Sequence, residues 1–154
     1  MAALRWLAIG IALVGFGIDQ ATKHLAVARL LPGDSIHVLG PFVQFTLVRN
    51  PGAAFSLGTS FTRGLSIFAI LALVGVVGFA LPRVSRVPHA VAVGLLLGGI
   101  AGNLYDRIFR EPSPLMGHVI DFIQVPYFAI FNVADICVVS AAALIIVMSW
   151  RSPK

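Results

Sequence analysis

Four long and almost uncharged apolar segments constrain the fold of this chain more than any other feature. They cover about residues 4–28, 64–81, 88–105 and 127–150. A helix needs about 20 mostly apolar residues to cross the hydrocarbon core of a bilayer, and each segment is close to that length. The segments therefore predict an all-α membrane protein with four transmembrane helices.

Composition supports this fold class and argues against several functions. Of the 154 residues, 58% are hydrophobic and 11% are charged, and the mean hydropathy is +0.96, whereas a soluble domain has roughly 25% charged residues. The length fits one compact unit, residues 1–154. The net charge of +5 comes from basic residues scattered singly, which suits lipid headgroups and predicts no binding to nucleic acid. The single cysteine, Cys137, excludes an internal disulfide and is expected to be a packed core residue rather than a nucleophile.

The first segment has an alternative interpretation as a signal peptide. Arg5 precedes an apolar stretch, and "AVA" at 26–28 resembles a cleavage site. However, Asp19, Gln20 and Lys23 would be unusual just before such a site. We therefore favour a transmembrane span.

The connection between the first two spans carries a strand signal within about residues 34–56. In "FVQFTLV" (42–48), Val43, Phe45 and Leu47 alternate with Gln44 and Thr46, and the turn sequences "GP" and "NPG" bound the run. We expect a small β-rich element lying against the membrane surface.

Charge predicts the orientation only in part. With both termini on one side, the basic residues divide almost evenly between the two sides, so the positive-inside rule does not decide. The six acidic residues all fall toward the other side, and the acid-free side carries a compact basic loop (82–89) and a basic tail. We therefore expect both termini in the cytoplasm.

Polar residues interrupt three of the apolar segments and recur at helical spacing. Because adjacent spans are antiparallel, these residues are expected to meet at one non-cytoplasmic end of the bundle. Ionisable residues within a membrane are costly and indicate a functional site by default. The residues are Asp19 and Lys23 in the first span, Asn103, Asp106 and Arg107 in the third, and Asn132 and Asp135 in the fourth.

Two carboxylates in this region predict a reaction. If the fourth helix begins at Tyr127, Asp135 lies about 12 Å along it. Pro126 disfavours helix at the preceding residue, so Asp121 is expected in a separate segment that folds back toward Asp135. Two carboxyl groups in contact share one proton at neutral pH. One can then activate water while the other protonates a carbonyl oxygen, which is the chemistry of aspartic proteases and needs no metal.

Other interpretations of these polar residues remain open at this point. Asp19 with Lys23 could be an architectural ion pair, and Asp106 with Arg107 could be structural or could bind lipid headgroups. The spacing of Gly94, Gly98 and Gly102 is typical of close helix packing. His118 lies near Asp121 in the sequence, but no metal-ligand spacing is present. A small proton-coupled transporter or channel subunit would also place polar groups in a cavity, although spread across the membrane thickness.

Five motifs together resemble the bacterial lipoprotein signal peptidase (signal peptidase II) family of intramembrane aspartic proteases. They cover the chain nearly end to end, in the order of the family: "DQATK" (19–23), "VRNPGAAFS" (48–56), "GGIAGNLYDR" (98–107), "GHVIDFI" (117–123) and "FNVADIC" (131–137). The resemblance implies four transmembrane helices in the bacterial inner membrane, both termini in the cytoplasm, an extracytoplasmic β-cradle and an active site near the outer face.

The resemblance also implies an activity and a set of site residues. The family cleaves diacylglyceryl-modified prolipoproteins just before the lipidated cysteine, without a cofactor, and is the target of the cyclic peptide antibiotic globomycin. Its two catalytic aspartates correspond to Asp121 and Asp135. The polar residues that support the pair or the substrate correspond to Asp19, Lys23, Asn50, Asn103, Asp106, Arg107 and Asn132.

Overall fold

A computed structural model describes residues 1–31, 33–52, 61–112 and 114–151. Four helices and three strands follow one another along the chain. The helix α2 continues through a π-helical turn, Val76–Ala80, and a 3-10 turn, Leu81–Arg83. The elements are α1 (Ala2–Arg29), β1 (Ser35–Leu39), β2 (Val43–Asn50), α2 (Thr62–Gly75), α3 (Val87–Phe109), β3 (Val119–Gln124) and α4 (Val133–Arg151).

All four helices are long and apolar enough to cross a membrane, with α2 taken to the end of its 3-10 turn at Arg83. Large apolar side chains such as Trp6, Phe68 and Val139 are exposed on their outer surfaces, as lipid contact requires. The predicted fold class, a four-helix membrane protein with a small β-rich element, is confirmed.

The helices α1 and α3 run in the same direction and pack closely through glycine. A Cβ atom at Gly94 would lie 2.6 Å from the carbonyl oxygen of Ala8, and one at Gly98 would lie 2.8 Å from that of Ala12. Without side chains at these positions the two backbones can approach to contact distance. The interpretation of the glycine spacing as helix packing is therefore confirmed.

The three strands form one antiparallel sheet in the order β1–β2–β3. Both β1 and β2 fall within the predicted segment 34–56, of which residues 53–56 lie outside the described part of the chain. Buried apolar residues attach the sheet to the end of α1. They are Ala26, Leu30, Leu47, Ile120 and Phe122. The sheet therefore sits at the same end of the bundle as the polar residues of the helices.

The predicted start of the fourth span at Tyr127 is wrong, because α4 begins six residues later, at Val133. Tyr127 has a positive φ of 62°, and Phe131 pairs with Ile123 in an antiparallel bridge. The backbone bonds of this bridge, 2.8 and 3.0 Å long, are formed in place of helical ones. Asp135 is consequently in the first turn of α4, about 3 Å along the helix rather than 12 Å.

Candidate active site

The polar residues predicted from the sequence converge at one end of the bundle, as expected. The end of α1, the end of α3, the start of α4 and strands β2 and β3 all contribute to one hydrogen-bonded network. Its members include Asp19, Lys23, Asn50, Asn103, Asp106, Asp121, Asn132 and Asp135.

Asp121 lies on β3 and is almost fully buried, with 3% of its surface exposed. Val48 is opposite it in the ladder, so Asn50, two residues along β2, faces the same side of the sheet. The Nδ2 group of Asn50 donates to Asp121 Oδ2 (2.8 Å), and that of Asn132 donates to Oδ1 (2.6 Å). Burial raises the pKa of Asp121 to about 6; the charge of Asp135 adds to the shift, and the bond from Asn50 opposes it.

Asp135 is held by the hydrogen bonds that start α4. The backbone N–H of Asp135 donates to Asn132 Oδ1 (3.0 Å), and the backbone N–H of Asn132 donates to Asp135 Oδ2 (3.2 Å). This reciprocal pair is a capping box formed by asparagine and aspartate. The second oxygen, Oδ1, accepts from Asn103 Nδ2 (2.8 Å). The carboxylate is therefore fixed at a helix N-terminus, where the backbone dipoles favour negative charge.

Asn132 connects the two carboxyl groups. Its side chain donates to Asp121, and its backbone donates to Asp135. The same side-chain amide also donates to Asn103 Oδ1 (3.1 Å). One fully buried asparagine thus sets the position of both acids relative to each other.

Lys23 is fully buried and contacts three other members of the network. Its ammonium group contacts Asp19 Oδ2 (2.8 Å), Asp106 Oδ2 (2.9 Å) and Asn103 Oδ1 (3.0 Å). The other oxygen of Asp19 accepts the backbone N–H of Ala134 in the first turn of α4 (2.9 Å). The predicted Asp19–Lys23 ion pair is present, and it also joins α1 to α3 and α4.

Asp106 and Arg107 are neighbours on α3 but have different surroundings. The ionic partners of Asp106 are Lys23 and, at 2.7 Å, Arg110, one helical turn further along α3. Arg107 lies close enough to Asp106, Asp121 and Asp135 to interact with them electrostatically. Among the described residues, its buried Nη1 has no hydrogen-bond partner.

Three buried polar residues in this region were not selected by the sequence analysis. Gln20 donates to Asp19 Oδ2 and to the carbonyl of Gly102, both at 3.1 Å. Thr62 and Ser66 are buried on α2. The position of Gln20 next to Asp19 in an apolar span was a usable signal, whereas single hydroxyl groups in a membrane helix carry little information.

Two apolar grooves reach Asp135 from different sides. The larger has a volume of about 690 Å³ and lies between α2, α3 and α4, with Phe68 and Val139 in its wall and Asn103 beside Asp135 at its polar end. The smaller, about 230 Å³, lies between α4 and the aromatic side chains of Phe128 and Phe131. An apolar ligand in either groove would be in contact with the carboxyl group.

Metal ligands are not grouped in the described part of the chain. No set of three or more histidine, cysteine, aspartate or glutamate residues in residues 1–31, 33–52, 61–112 and 114–151 could hold a metal ion.

Comparison with known proteins gives a consistent result. A family model described as "Signal peptidase (SPase) II" matches residues 11–151. A "Lipoprotein signal peptidase" of Mycobacterium leprae (strain Br4923) is 46% identical over 143 residues, covering 93% of this chain and 71% of the relative. One of Leifsonia xyli subsp. xyli (strain CTCB07) is 46% identical over 153 residues, covering 97% and 68%.

A solved structure has the same fold. It is described as a bacterial membrane enzyme structure determined by the in meso method at 1.9 Å resolution. The TM-score is 0.82 at 31% identity, and the alignment covers 95% of this chain and 94% of that chain.

The perturbed pKa of Asp121 predicts a pH-dependent difference in stability between the wild type and Asp121→Asn. The folded state keeps the proton up to about pH 6, whereas the usual value for an aspartate is 3.8. The wild type should therefore lose stability as the pH rises from about 4 to about 6, by up to about 3 kcal/mol, and the variant should lack this loss.

Thermal unfolding of both proteins in detergent, followed from about pH 4 to about pH 7, measures this effect. The apparent Tm of the variant relative to the wild type should increase with pH and level off above the pKa of Asp121. A constant difference across the range would show that burial does not perturb this carboxyl group.

Proposed function

The chain belongs to the signal peptidase II family, and from this membership and the geometry of the site we propose that Asp121 and Asp135 are its catalytic pair. The protein is a membrane peptidase that acts on lipoprotein precursors. The observation that carries the assignment is that Asn132 holds both carboxyl groups, one of them at the polar end of a large apolar groove.

The proposed reaction uses the two carboxyl groups with one proton between them. The ionised group removes a proton from water, whose oxygen adds to the carbonyl carbon of the scissile bond, while the protonated group donates to the carbonyl oxygen. The tetrahedral intermediate then collapses and the C–N bond breaks. The nitrogen receives a proton from the carboxyl group that had deprotonated the water, and one hydroxyl group of the intermediate returns its proton to the other carboxylate. The products are a new carboxyl terminus and a free amine.

The charges around the pair support a single shared proton. Three cations lie in or beside the network, namely Lys23, Arg107 and Arg110. Asp19 and Asp106 offset two of them. With one proton, the pair would carry one negative charge, and the three cations would then be balanced by three negative charges. Charge without a counterion is strongly unfavourable away from water, so this balance is consistent with the proposed reaction.

The surrounding polar residues have distinct roles in this proposal. Asn50, Asn103 and Asn132 fix the carboxyl groups by donating to them. Lys23, Asp19 and Asp106 hold the helices that carry those groups. Arg107, with a buried N–H group that has no partner among the described residues, is placed to donate to a backbone carbonyl of the substrate.

The apolar grooves suit a substrate whose cysteine carries a diacylglyceryl group. Each acyl methylene group buried away from water contributes about 0.8 kcal/mol, which anchors the substrate in the membrane at the level of the groove. Chains lying in the groove between α2, α3 and α4 would bring the peptide bond before the cysteine to Asp135. Globomycin, an inhibitor implied by the resemblance to this family, would occupy the same groove and inhibit competitively with substrate.

The competing interpretation as a transporter or channel subunit is not favoured. It requires polar groups across the membrane thickness, but the buried polar residues in the described part of the chain cluster at one end of the bundle. They are Asp19, Gln20, Lys23, Thr62, Ser66, Asp106, Asp121 and Asn132.

Removal of either catalytic carboxyl group should abolish cleavage. We expect Asp121→Asn and Asp135→Asn each to lower kcat by at least about 100-fold, because one carboxyl group cannot serve as both base and acid. A mobility assay with purified protein and a diacylglyceryl-modified precursor measures this, in the presence of EDTA. Asp34 is exposed, so the Asp34→Asn variant is the matched control and should cleave the precursor at the wild-type rate. Substantial activity in either catalytic variant, with the protein folded, would refute the assignment.

The lipid should determine whether a precursor is cleaved. Matched precursors with and without the diacylglyceryl group would be compared under identical conditions, and only the modified one should be turned over. The unmodified segment lacks the acyl chains that position it at the depth of the pair. Equal turnover would eliminate lipid-dependent positioning and indicate a general intramembrane protease.

The proposed location is the bacterial inner membrane, with both termini in the cytoplasm and the site near the outer face. An impermeant thiol reagent applied to intact cells should label Ser35→Cys but not Ser85→Cys, both in a Cys137→Ala background. Ser35 and Ser85 are exposed at opposite ends of the bundle. Labelling of Ser85→Cys alone would invert the orientation and place the acids on the cytoplasmic side.

A further inference from the structure

The helix α2 contacts the remainder of the protein in an unusual way. Its buried residues are Thr62 and Ser66, both hydroxyl-bearing and one turn apart at its start. Most of its large apolar side chains, including Phe68, Leu71 and Val74, are exposed. Apolar burial therefore does not explain why these two positions face inward, and their hydrogen bonds must be considered.

Both hydroxyl groups donate to carbonyl oxygens of the loops that flank the candidate catalytic pair. Ser66 donates to Leu115 in the loop before β3 (2.7 Å). Thr62 donates to Pro51, which directly follows Asn50 at the end of β2. The hydroxyl of Thr62 thus joins the start of α2 to the residue that follows β2.

The bond from Thr62 acts on a single peptide unit. The carbonyl of Pro51 and the N–H of Gly52 belong to one planar group. While the oxygen accepts from Thr62, the N–H of Gly52 donates to Asn50 Oδ1 at 2.9 Å. Fixing the oxygen therefore fixes the direction of the N–H bond that orients the side chain of Asn50.

The orientation of the Asn50 amide matters for Asp121. With its Oδ1 bonded to Gly52, the Nδ2 group points at Asp121 Oδ2 (2.8 Å). A flipped amide would place an oxygen against the carboxyl group and lose both bonds. Close packing adds to this constraint: Gly52 has a φ of 141°, and a Cβ atom there would lie 2.9 Å from the side chain of Leu65 on α2.

We propose that Thr62 is a positioning residue for Asp121, acting through the Pro51–Gly52 peptide and the side-chain amide of Asn50. The inference rests on the proposed catalytic role of Asp121. It assigns a function to α2 that is separate from spanning the membrane: its first turn holds the donor that orients one of the two acids.

The pKa of Asp121 is a second property that should change when Thr62 is replaced. The charged groups that act on it are Asp135 on α4, Lys23 on α1 and Arg107 on α3. None of these changes when Thr62 is replaced. Loosening of Asn50 removes a bond that lowers the pKa of Asp121, so that pKa should rise and the corresponding limb of the pH–rate profile should move to higher pH.

The test compares Thr62→Val, which keeps the shape but lacks the donor, with Thr62→Ser, which keeps the donor. We expect the valine variant to lose about tenfold in kcat, with KM within about twofold, and the serine variant to remain within about twofold of wild type. Thr22→Val is the matched control, because within the described residues the hydroxyl of Thr22 bonds to carbonyl groups of its own helix alone. Equal impairment of the valine and serine variants would overturn the proposal by assigning the effect to lost packing.

A double-mutant cycle with Asn50→Ala separates this mechanism from a general loosening of α2. If Thr62 acts through Asn50, adding Thr62→Val to Asn50→Ala should reduce kcat no further. Independent, multiplicative losses would overturn the proposal, as would wild-type kcat and an unshifted pH profile in Thr62→Val. Thr62→Ala replaces the valine variant in the cycle if the latter unfolds in detergent. Failure of the catalytic assignment itself would be seen separately, as activity in Asp121→Asn.

Discussion

The buried ammonium group of Lys23 is the interaction on which the remainder of the site depends. It contacts one carboxylate from its own helix and one from α3, and it also donates to Asn103, which in turn donates to Asp135. A buried cation without such partners would be strongly unfavourable, and so would the two carboxylates without the cation. The ion cluster therefore joins α1 to α3 in one register and sets the orientation of an amide at the candidate active site.

The enzyme combines two regions with opposite requirements. The outer surfaces of its helices face lipid and are apolar, whereas the end that carries the site contains a dense network of charges and amides. The network satisfies most of its own hydrogen bonds, which allows it to lie beside hydrocarbon without attracting bulk water. The groove between α2, α3 and α4 is the place where the two regions meet, since it is apolar along its length and ends at Asp135.

Local patterns predicted much of this structure, and long-range contacts determined what they missed. The apolar segments predicted all four helices, and the spacing of Asp19 and Lys23 predicted their ion pair. The second partner of Lys23, Asp106, comes from another helix and could not be identified from spacing. Residues 127–132 are apolar enough to continue α4, and only the pairing of Phe131 with Ile123 in a distant strand decides against helix there. The proposed role of Thr62 likewise could not be predicted from the sequence, because the carbonyl that accepts its hydrogen bond belongs to Pro51, outside α2.

The capping box at the start of α4 has a consequence for resistance to inhibitors. Asn132 and Asp135 begin the helix by the same hydrogen bonds that orient the candidate catalytic carboxylate. Substitution at either position would damage the helix terminus, by about 1 kcal/mol for a lost cap, together with the reaction. Few resistance substitutions would therefore be tolerated against an inhibitor that forms its hydrogen bonds with these two residues. Tolerated substitutions would instead be confined to apolar side chains of the groove wall, such as Phe68 and Val139, where shape can change without loss of chemistry.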